Sequence, residues 1–324
     1  MSNPFSKSEN DRKRIVSNQQ KEIKQIYIDC YNDIHKEVEK LKSKNDKTST
    51  IKRVYLSKLE KDLIESIKVV DKKTEKLIKE NVKLMSGSVF DTNVKYLKGI
   101  GINLNVGNKK LKLNVVNDII NGKFYDGKWS LSSAIWGDNK IKQREIRNII
   151  SKGLLKNKSV YEIGKDLERY VNPRARKKYS WSNMFPGSRK KIDYNAQRLA
   201  RTIVSHAYEQ SFVKSTIKNP FIGAYRWVTS GGDKVCVLCL DREMSDHYGL
   251  GPGIFPKDKL PLDHPNGMCT FEPVMLYDDD EVAELIADWY LDEGDVEMNE
   301  RINLFIEDFN NFWYFLLTNF QNML

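Results

Sequence analysis

The sequence predicts a mainly α protein: a long N-terminal helical hairpin and a helical domain, followed by a small α+β module and a helical tail. Two observations support this prediction. Apolar residues recur at three- and four-residue steps through the first two thirds of the chain, as they do along one face of a helix. After Asn219-Pro220 this period gives way to a strand-like run and a stretch rich in Gly, Pro and Asp. We therefore expect four regions, at 1–108, 109–220, 221–276 and 277–324.

The region 1–108 is predicted to be the helical hairpin. Thr48-Ser49-Thr50 offers capping residues between two apolar stripes. Several glycines make 87–108 a predicted connector. The stripe residues are Ile23, Tyr27, Cys30, Ile34, Val38 and Leu41 in the first helix, and Ile51, Tyr55, Leu59, Leu63, Ile67 and Val70 in the second.

The region 109–220 is predicted to hold helices over 141–155, 160–170 and 193–218. The middle helix has a capping box, because Ser159 precedes it and Glu162 follows three residues later.

The last two predicted regions, 221–276 and 277–324, differ in composition from the helical regions before them. A strand is expected over 224–229, and 240–268 is a loop too long for a compact domain unless something holds it. From residue 278 the chain is acidic, with helices predicted over 281–291 and over the aromatic tail, 301–324.

Charge is distributed unevenly along the 324 residues. The chain has 54 Lys and Arg against 44 Asp and Glu, a net charge of +10. Residues 1–100 carry +8, residues 101–200 carry +14, and residues 201–324 carry −12. The basic part indicates a polyanion or a membrane surface as partner. No apolar run is long enough for a secretory signal or a membrane span, so we expect no membrane anchor.

The strongest chemical signal is a Cys/His pattern. Cys236-Val-Leu-Cys239 is followed after 24 residues by His264 and after four more by Cys269. Zinc takes four such ligands in a tetrahedron, and a site filled by protein ligands is structural. The sequence therefore predicts a zinc-stapled module, in which the ion holds the loop 240–268.

Other interpretations of these residues stay open. The cysteines can be reduced and buried beside an incidental histidine. A redox C-x-x-C is disfavoured, because no helix is predicted to follow it and no βαβ context surrounds it. His247 is a competing ligand, expected instead in a surface loop, and Cys30 is expected to be a small buried apolar residue.

An ordered set of residues within about 195–275 carries a family resemblance: Ala200-Arg-Thr202, Trp227, Asp233, Cys236-x-x-Cys239, Gly249, Phe255 and Pro261-x-x-His264-Pro265-Asn266-x-x-Cys269. This set resembles the phage Mu F-like minor head protein family, the head morphogenesis proteins of tailed phages. The chain departs from that family at two places. Ile203 stands where members often have Glu, and Gly267-Met268 stands where they often have Cys-Arg, although Cys269 is retained.

The resemblance implies a minor capsid protein that is not an enzyme. Such proteins lie inside the virion head near the portal, after assembly in the host cytoplasm, and assist head assembly or genome delivery. The implied partners are the portal protein, with scaffold or major capsid protein as further candidates, and packaged double-stranded DNA.

The densest basic run, between residues 174 and 201, is interleaved with aromatic residues. Lys and Arg neutralise phosphates without reading sequence, and aromatic rings can stack on bases. The alternative is a solvated loop whose aromatic residues pack on the core. A DNA-filled head favours contact with DNA, without sequence specificity. The predicted DNA-binding residues are Arg174, Arg176, Lys177, Lys178, Arg189, Lys190 and Lys191.

Two further questions stay open. The aromatic tail either packs on the protein's own core or docks on a portal or scaffold groove, and its lack of basic residues disfavours a membrane surface. The alternative function is a zinc-stapled, HNH-like nuclease with His264 as general base. Against it, a zinc-bound histidine cannot act as a base, and no histidine follows His264. A DNA-binding regulator is a third hypothesis, but no recognition-helix motif is evident.

Overall fold

The computed structural model describes residues 5–44, 48–102, 108–123, 130–174, 177–178, 189–190, 192–231 and 235–310. These residues are mainly helical with a small antiparallel sheet, which confirms the predicted fold class. The helices are α1 (Ser6–Lys40), α2 (Ser49–Gly99), α3 (Asn108–Ile120), α4 (Leu131–Leu155), α5 (Val160–Val171), α6 (Tyr194–Thr216), α7 (Val237–Met244), α8 (Asp279–Leu291) and α9 (Val296–Asn310). The strands are β1 (Lys177–Lys178), β2 (Arg189–Lys190), β3 (Ile222–Val228), β4 (Ile254–Pro256) and β5 (Thr270–Met275).

The chain divides into two compact units, and each is assembled from separate stretches. α1 and α2 contribute to both units. The first unit comprises Met1–Ile15, Asn81–Ile119 and Arg201–Leu324, and the second comprises Val16–Glu80 and Ile120–Ala200.

The second unit buries most residues of the predicted helical stripes. Leu41 and Tyr55 are half-buried, and Ile51 is 39% exposed at the start of α2. The predicted capping box opens α5: the Glu162 carboxylate accepts the Ser159 backbone N–H at 2.7 Å, and the Ser159 hydroxyl accepts the Glu162 N–H at 3.2 Å. The buried stripe residues are Ile23, Tyr27, Cys30, Ile34, Val38, Leu59, Leu63, Ile67 and Val70.

The first unit contains helix where a connector was predicted. α2 runs on to Gly99, so the expectation of a connector over 87–108 is wrong for its first half. The helix continues because Val89, Phe90 and Leu97 are fully buried, and this packing outweighs the low helix propensity of Gly87.

The small sheet of the first unit has the order β4-β3-β5, with both neighbours antiparallel to β3. Residues 240–268 are therefore not one long loop, since they contain most of α7 and all of β4. In the tail, Ile302 and Phe305 of α9 are buried in a core with α8. Residues 311–324, with most of the predicted aromatic face, lie outside the described part of the chain. In the described ranges no helix is long and apolar enough to cross a membrane.

Candidate metal centre

The first two predicted ligands lie at the beginning of α7. Cys236 is the residue before the helix, and Cys239 lies in its first turn. The argument against a redox C-x-x-C was that no helix follows it, and that expectation is wrong. The strand arrangement around it is still antiparallel and not βαβ. Both cysteines of the C-x-x-C pair therefore lie at the N-terminus of α7.

The other two predicted ligands, His264 and Cys269, flank a tight turn that leads into β5. Asp263 holds this turn: its Oδ1 accepts the His264 backbone N–H at 2.8 Å, and its Oδ2 accepts that of Cys269 at 3.1 Å. Asp263 is buried, and a Cβ at Gly267 would lie 2.0 Å from its Oδ2. The turn therefore requires glycine at that position.

The fold brings three of the predicted ligands, Cys236, Cys239 and His264, into one group, and places Cys269 in a second group that shares Cys239 with it. Cys236, Cys239 and His264 offer ligand atoms within 4.8 Å of one another, and so do Cys239, Asp263 and Cys269. Cys239 is common to both groups. These are two Cys/His/Asp groups that can hold a metal ion.

The donor set suits a borderline-soft cation. The His264 Nδ1 lies 3.1 Å from the Pro265 carbonyl oxygen. Because a carbonyl only accepts, a neutral ring that makes this hydrogen bond from Nδ1 would offer the Nε2 lone pair to a metal. Burial raises the pKa of the Cys239 and Cys269 thiols. A divalent cation reverses this preference, because it stabilises the thiolates directly.

A buried polar stripe on α6 holds the ligand loop, the segment from Asp263 to Cys269, and the sequence analysis missed it. Its residues have helical spacing, so all four lie on one face of α6. All four are buried in the structure. The signal was present in the sequence, as polar residues at i, i+3, i+4 and i+7 of the predicted helix. The stripe residues are Thr202, Ser205, His206 and Glu209.

Each stripe residue contacts the backbone of the ligand loop. The Thr202 hydroxyl accepts the Asn266 N–H at 2.8 Å, and the Ser205 hydroxyl donates to the Gly267 carbonyl at 3.2 Å. The His206 Nε2 donates to the Asp263 carbonyl at 3.0 Å, and Glu209 accepts the Asp263 N–H at 3.3 Å. Side chains of α6 thus fix the loop by four hydrogen bonds to three of its residues, Asp263, Asn266 and Gly267.

Burial shifts the pKa values of two stripe residues, His206 and Glu209. Burial lowers the pKa of His206, which favours the neutral ring that donates to the Asp263 carbonyl. Burial and the Asp263 carboxylate raise the pKa of Glu209 to about 8.

Arg12 of α1 also holds this loop and was missed. Its guanidinium donates to the carbonyls of Cys269 at 2.8 Å and Met268 at 3.0 Å, and lies 4.5 Å from the centre of the Tyr208 ring. Arg12 is 1% exposed and 257 residues from Cys269 in sequence. No local sequence pattern indicates such a contact.

His247, the competing ligand of the sequence analysis, belongs to neither metal-binding group. Its Nε2 lies 3.2 Å from the Asp241 carboxylate, and its side chain is 39% exposed.

The predicted DNA-binding residues are described only in part. Arg174 is exposed. β1 and β2 pair antiparallel, with Lys177 opposite Lys190 and Lys178 opposite Arg189. Arg176 and Lys191 lie outside the described residues, as does Asp233 of the family motif.

Comparison with known proteins adds no assignment. No protein-family model, no curated protein and no solved structure matches this chain.

Proposed function

We propose that this chain is a minor head protein of a tailed phage, associated with the portal inside the head, and that a structural zinc ion holds its ligand loop. The observation that carries the proposal is one contact between the two ends of the family-like motif. Thr202, from its first element, accepts the backbone N–H of Asn266, from its last, at 2.8 Å. The motif residues therefore act together in one module, as a shared structural role requires.

Zinc is the proposed ion because thiolates and imidazole are its usual ligands, and four protein ligands leave no open position. Cys236, Cys239 and His264, completed by Cys269, would hold it. Bound zinc would neutralise the buried thiolates and fix the ligand loop against α7.

The zinc content of the purified full chain tests this proposal. We expect one zinc per chain that survives dialysis, and a lower melting temperature after chelation. Cys239→Ser should abolish retention, because Cys239 belongs to both ligand groups. Cys30→Ala is the matched control, since Cys30 is buried in the second unit. A folded wild-type protein without stoichiometric zinc contradicts the proposal.

The β1–β2 ladder supports DNA contact as part of this proposal. Its register sets basic residues directly opposite each other in both cross-strand pairs. Like charges opposite one another destabilise a strand pair, and a polyanion would offset that repulsion.

A salt series of DNA binding tests the ladder. Replacing Lys177, Lys178, Arg189 and Lys190 by Ala should reduce the slope of log K against log salt by up to roughly 3.6, at about 0.9 per phosphate contact. The matched control replaces four exposed lysines on α1 and α2, namely Lys13, Lys36, Lys68 and Lys76. Equal changes of this slope in both variants would mean that DNA binding depends only on the net charge of the protein.

The proposed place in the head is tested by truncation and by localisation. Deleting 301–324 would remove the buried Ile302 and Phe305, so the informative deletion is 311–324. If the tail docks on the portal, this deletion should lower the amount of the chain in purified heads without changing its melting temperature. Normal incorporation, or an even distribution over the capsid in labelled heads, contradicts portal docking.

The nuclease hypothesis predicts that this protein cleaves DNA, whereas the minor head protein proposal does not. It requires His264 as a free base, whereas the zinc proposal uses His264 as a ligand. Nicking of a plasmid in magnesium, lost in His264→Asn, would favour the nuclease.

A further inference from the structure

A separate group of metal-ligating side chains lies in the second unit, on α1 and α5. His35 and Glu39 are four residues apart on α1 and so share one face, and Glu168 comes from α5. One ring nitrogen of His35 and one carboxylate oxygen of each glutamate lie within 4.8 Å of one another.

His35 and Glu168 lie side by side at ion-pair distance. The His35 Nδ1 is 3.1 Å from Oε1 of Glu168, and the His35 side chain is 45% exposed. Donor atoms that share one ion at metal–ligand distances near 2.1 Å lie roughly 3.0 to 3.4 Å apart. The observed spacing, which also suits a direct ion pair, fits two ligands to a common ion.

Two tyrosines orient these candidate ligands. The Tyr31 hydroxyl donates to Glu168 and the Tyr161 hydroxyl donates to Glu39, both at 3.2 Å. The Tyr31 ring also stacks on the His35 ring, with centroids 6.1 Å apart and planes 21° apart. Hydrogen bonds of this kind fix the carboxylates of metal sites in place.

Lys165 occupies the position of a cation between the two carboxylates. Its Nζ lies 3.1 Å from Glu39 and 2.8 Å from Glu168. The Lys165 side chain is 39% exposed, so it can turn outward to water. Two carboxylates without Lys165 match the charge of one divalent cation.

We propose that His35, Glu39 and Glu168 form a binding site for a divalent cation of the first transition series, in competition with Lys165. Imidazole with carboxylates suits Mn²⁺ and Zn²⁺ alike, whereas thiolate groups such as Cys236 and Cys239 select softer ions. Mn²⁺ therefore probes this site without reporting on the cysteine cluster. The site is independent of the proposed head function.

Mn²⁺ binding to the full chain, measured by electron paramagnetic resonance, tests the proposal. We expect one saturable Mn²⁺ per chain, and His35→Gln and Glu168→Gln should each weaken binding by about tenfold or more. Lys165→Met should tighten binding, because it removes the competing ammonium. Circular dichroism melting verifies that each variant is folded.

The matched control is His247→Gln. His247 is a part-exposed histidine 3.2 Å from one carboxylate, that of Asp241, and it belongs to no metal-binding group of the described residues. This variant should bind Mn²⁺ like the wild type. Three results would overturn the proposal: no saturable binding by the wild type, equal effects of His35→Gln and His247→Gln, or unchanged or weaker binding in a folded Lys165→Met variant. The last result would mean that the cluster is an ion-pair network only.

Discussion

The carboxylate of Asp263 accepts the backbone N–H of Cys269 across the turn that joins two predicted metal ligands, with an Oδ2–N distance of 3.1 Å. Its other oxygen accepts the N–H of His264 at 2.8 Å. One buried side chain thus sets the backbone of both ligands before any ion binds. In metal sites, groups that orient the ligands contribute strongly to affinity.

We predict that Asp263→Ala weakens zinc binding by roughly 10- to 100-fold. It should also lower the free energy of unfolding by roughly 2 to 5 kcal/mol, because two buried N–H groups lose their acceptor. Competition with a chromogenic chelator measures the affinity, and urea unfolding measures the stability. Asp258→Ala is the control, since the Asp258 side chain in the same segment is 75% exposed. Equal effects of the two substitutions would refute the role of Asp263.

Gly267→Ala should be destabilising, although a single methyl group is added. Its Cβ would lie 2.0 Å from the Asp263 carboxylate, which is itself fixed by two hydrogen bonds. Displacing that carboxylate disrupts the turn, at a cost of about 1 to 3 kcal/mol or more. Gly137→Ala in α4 has open space around the new methyl group and should be neutral or stabilising. Comparable melting temperatures for both variants would count against the predicted clash.

Arg12→Leu should destabilise the first unit by roughly 3 to 5 kcal/mol. The substitution leaves the carbonyls of Met268 and Cys269 without their donor in a buried place, and it removes the stacking on Tyr208. Arg12→Lys should recover only part of the lost stability, because an ammonium lacks the planar, forked set of N–H donors of a guanidinium. Arg14→Leu, at a side chain that is 70% exposed, should change stability by less than about 1 kcal/mol. Denaturant unfolding of the three variants decides between these outcomes.

Local signals in the sequence were sufficient to predict much of the fold. The capping box of Ser159 and Glu162 and the buried stripe from Ile23 to Val38 depend on residues three or four positions apart, and both are present in the structure. The end of α2 was misplaced because Gly87 was given more weight than the apolar residues around it. In the folded chain Val89 and Phe90 are fully buried, and tertiary packing outweighs propensity there.

The metal centre was predictable only as a set of residue types. Spacing indicated Cys236, Cys239, His264 and Cys269, and the fold distributes them over two groups that share Cys239. The residues that hold their loop were not predicted. Arg12 reaches its carbonyl partner across 257 positions, and such a contact leaves no trace in local periodicity. The α6 stripe was the exception, because Thr202 and Glu209 lie at helical spacing in the sequence itself.

The buried thiol of Cys30 should make stability fall with alkaline pH. Burial, with the nearby Asp33 carboxylate, raises the pKa of Cys30 from 9.0 to about 11. Below pH 9 the thiol keeps its proton in both the folded and the unfolded chain. Between pH 9 and 11 the unfolded chain releases that proton while the folded chain retains it, so unfolding becomes progressively easier. The full effect is about 3 kcal/mol, at 1.36 kcal/mol per pKa unit.

Comparison of the wild type with Cys30→Ala isolates this contribution, because all other titrating groups are shared. At pH 7 to 8 the variant should be less stable by about 1 kcal/mol, owing to the lost side-chain volume. As the pH rises from 9 to 11 the wild type should lose that advantage and become the less stable of the two. Urea unfolding at half-unit pH intervals, under reducing conditions, gives both curves. Parallel curves would mean that the Cys30 thiol ionises as easily in the folded chain as in the unfolded one, which its burial within the α1 stripe should prevent.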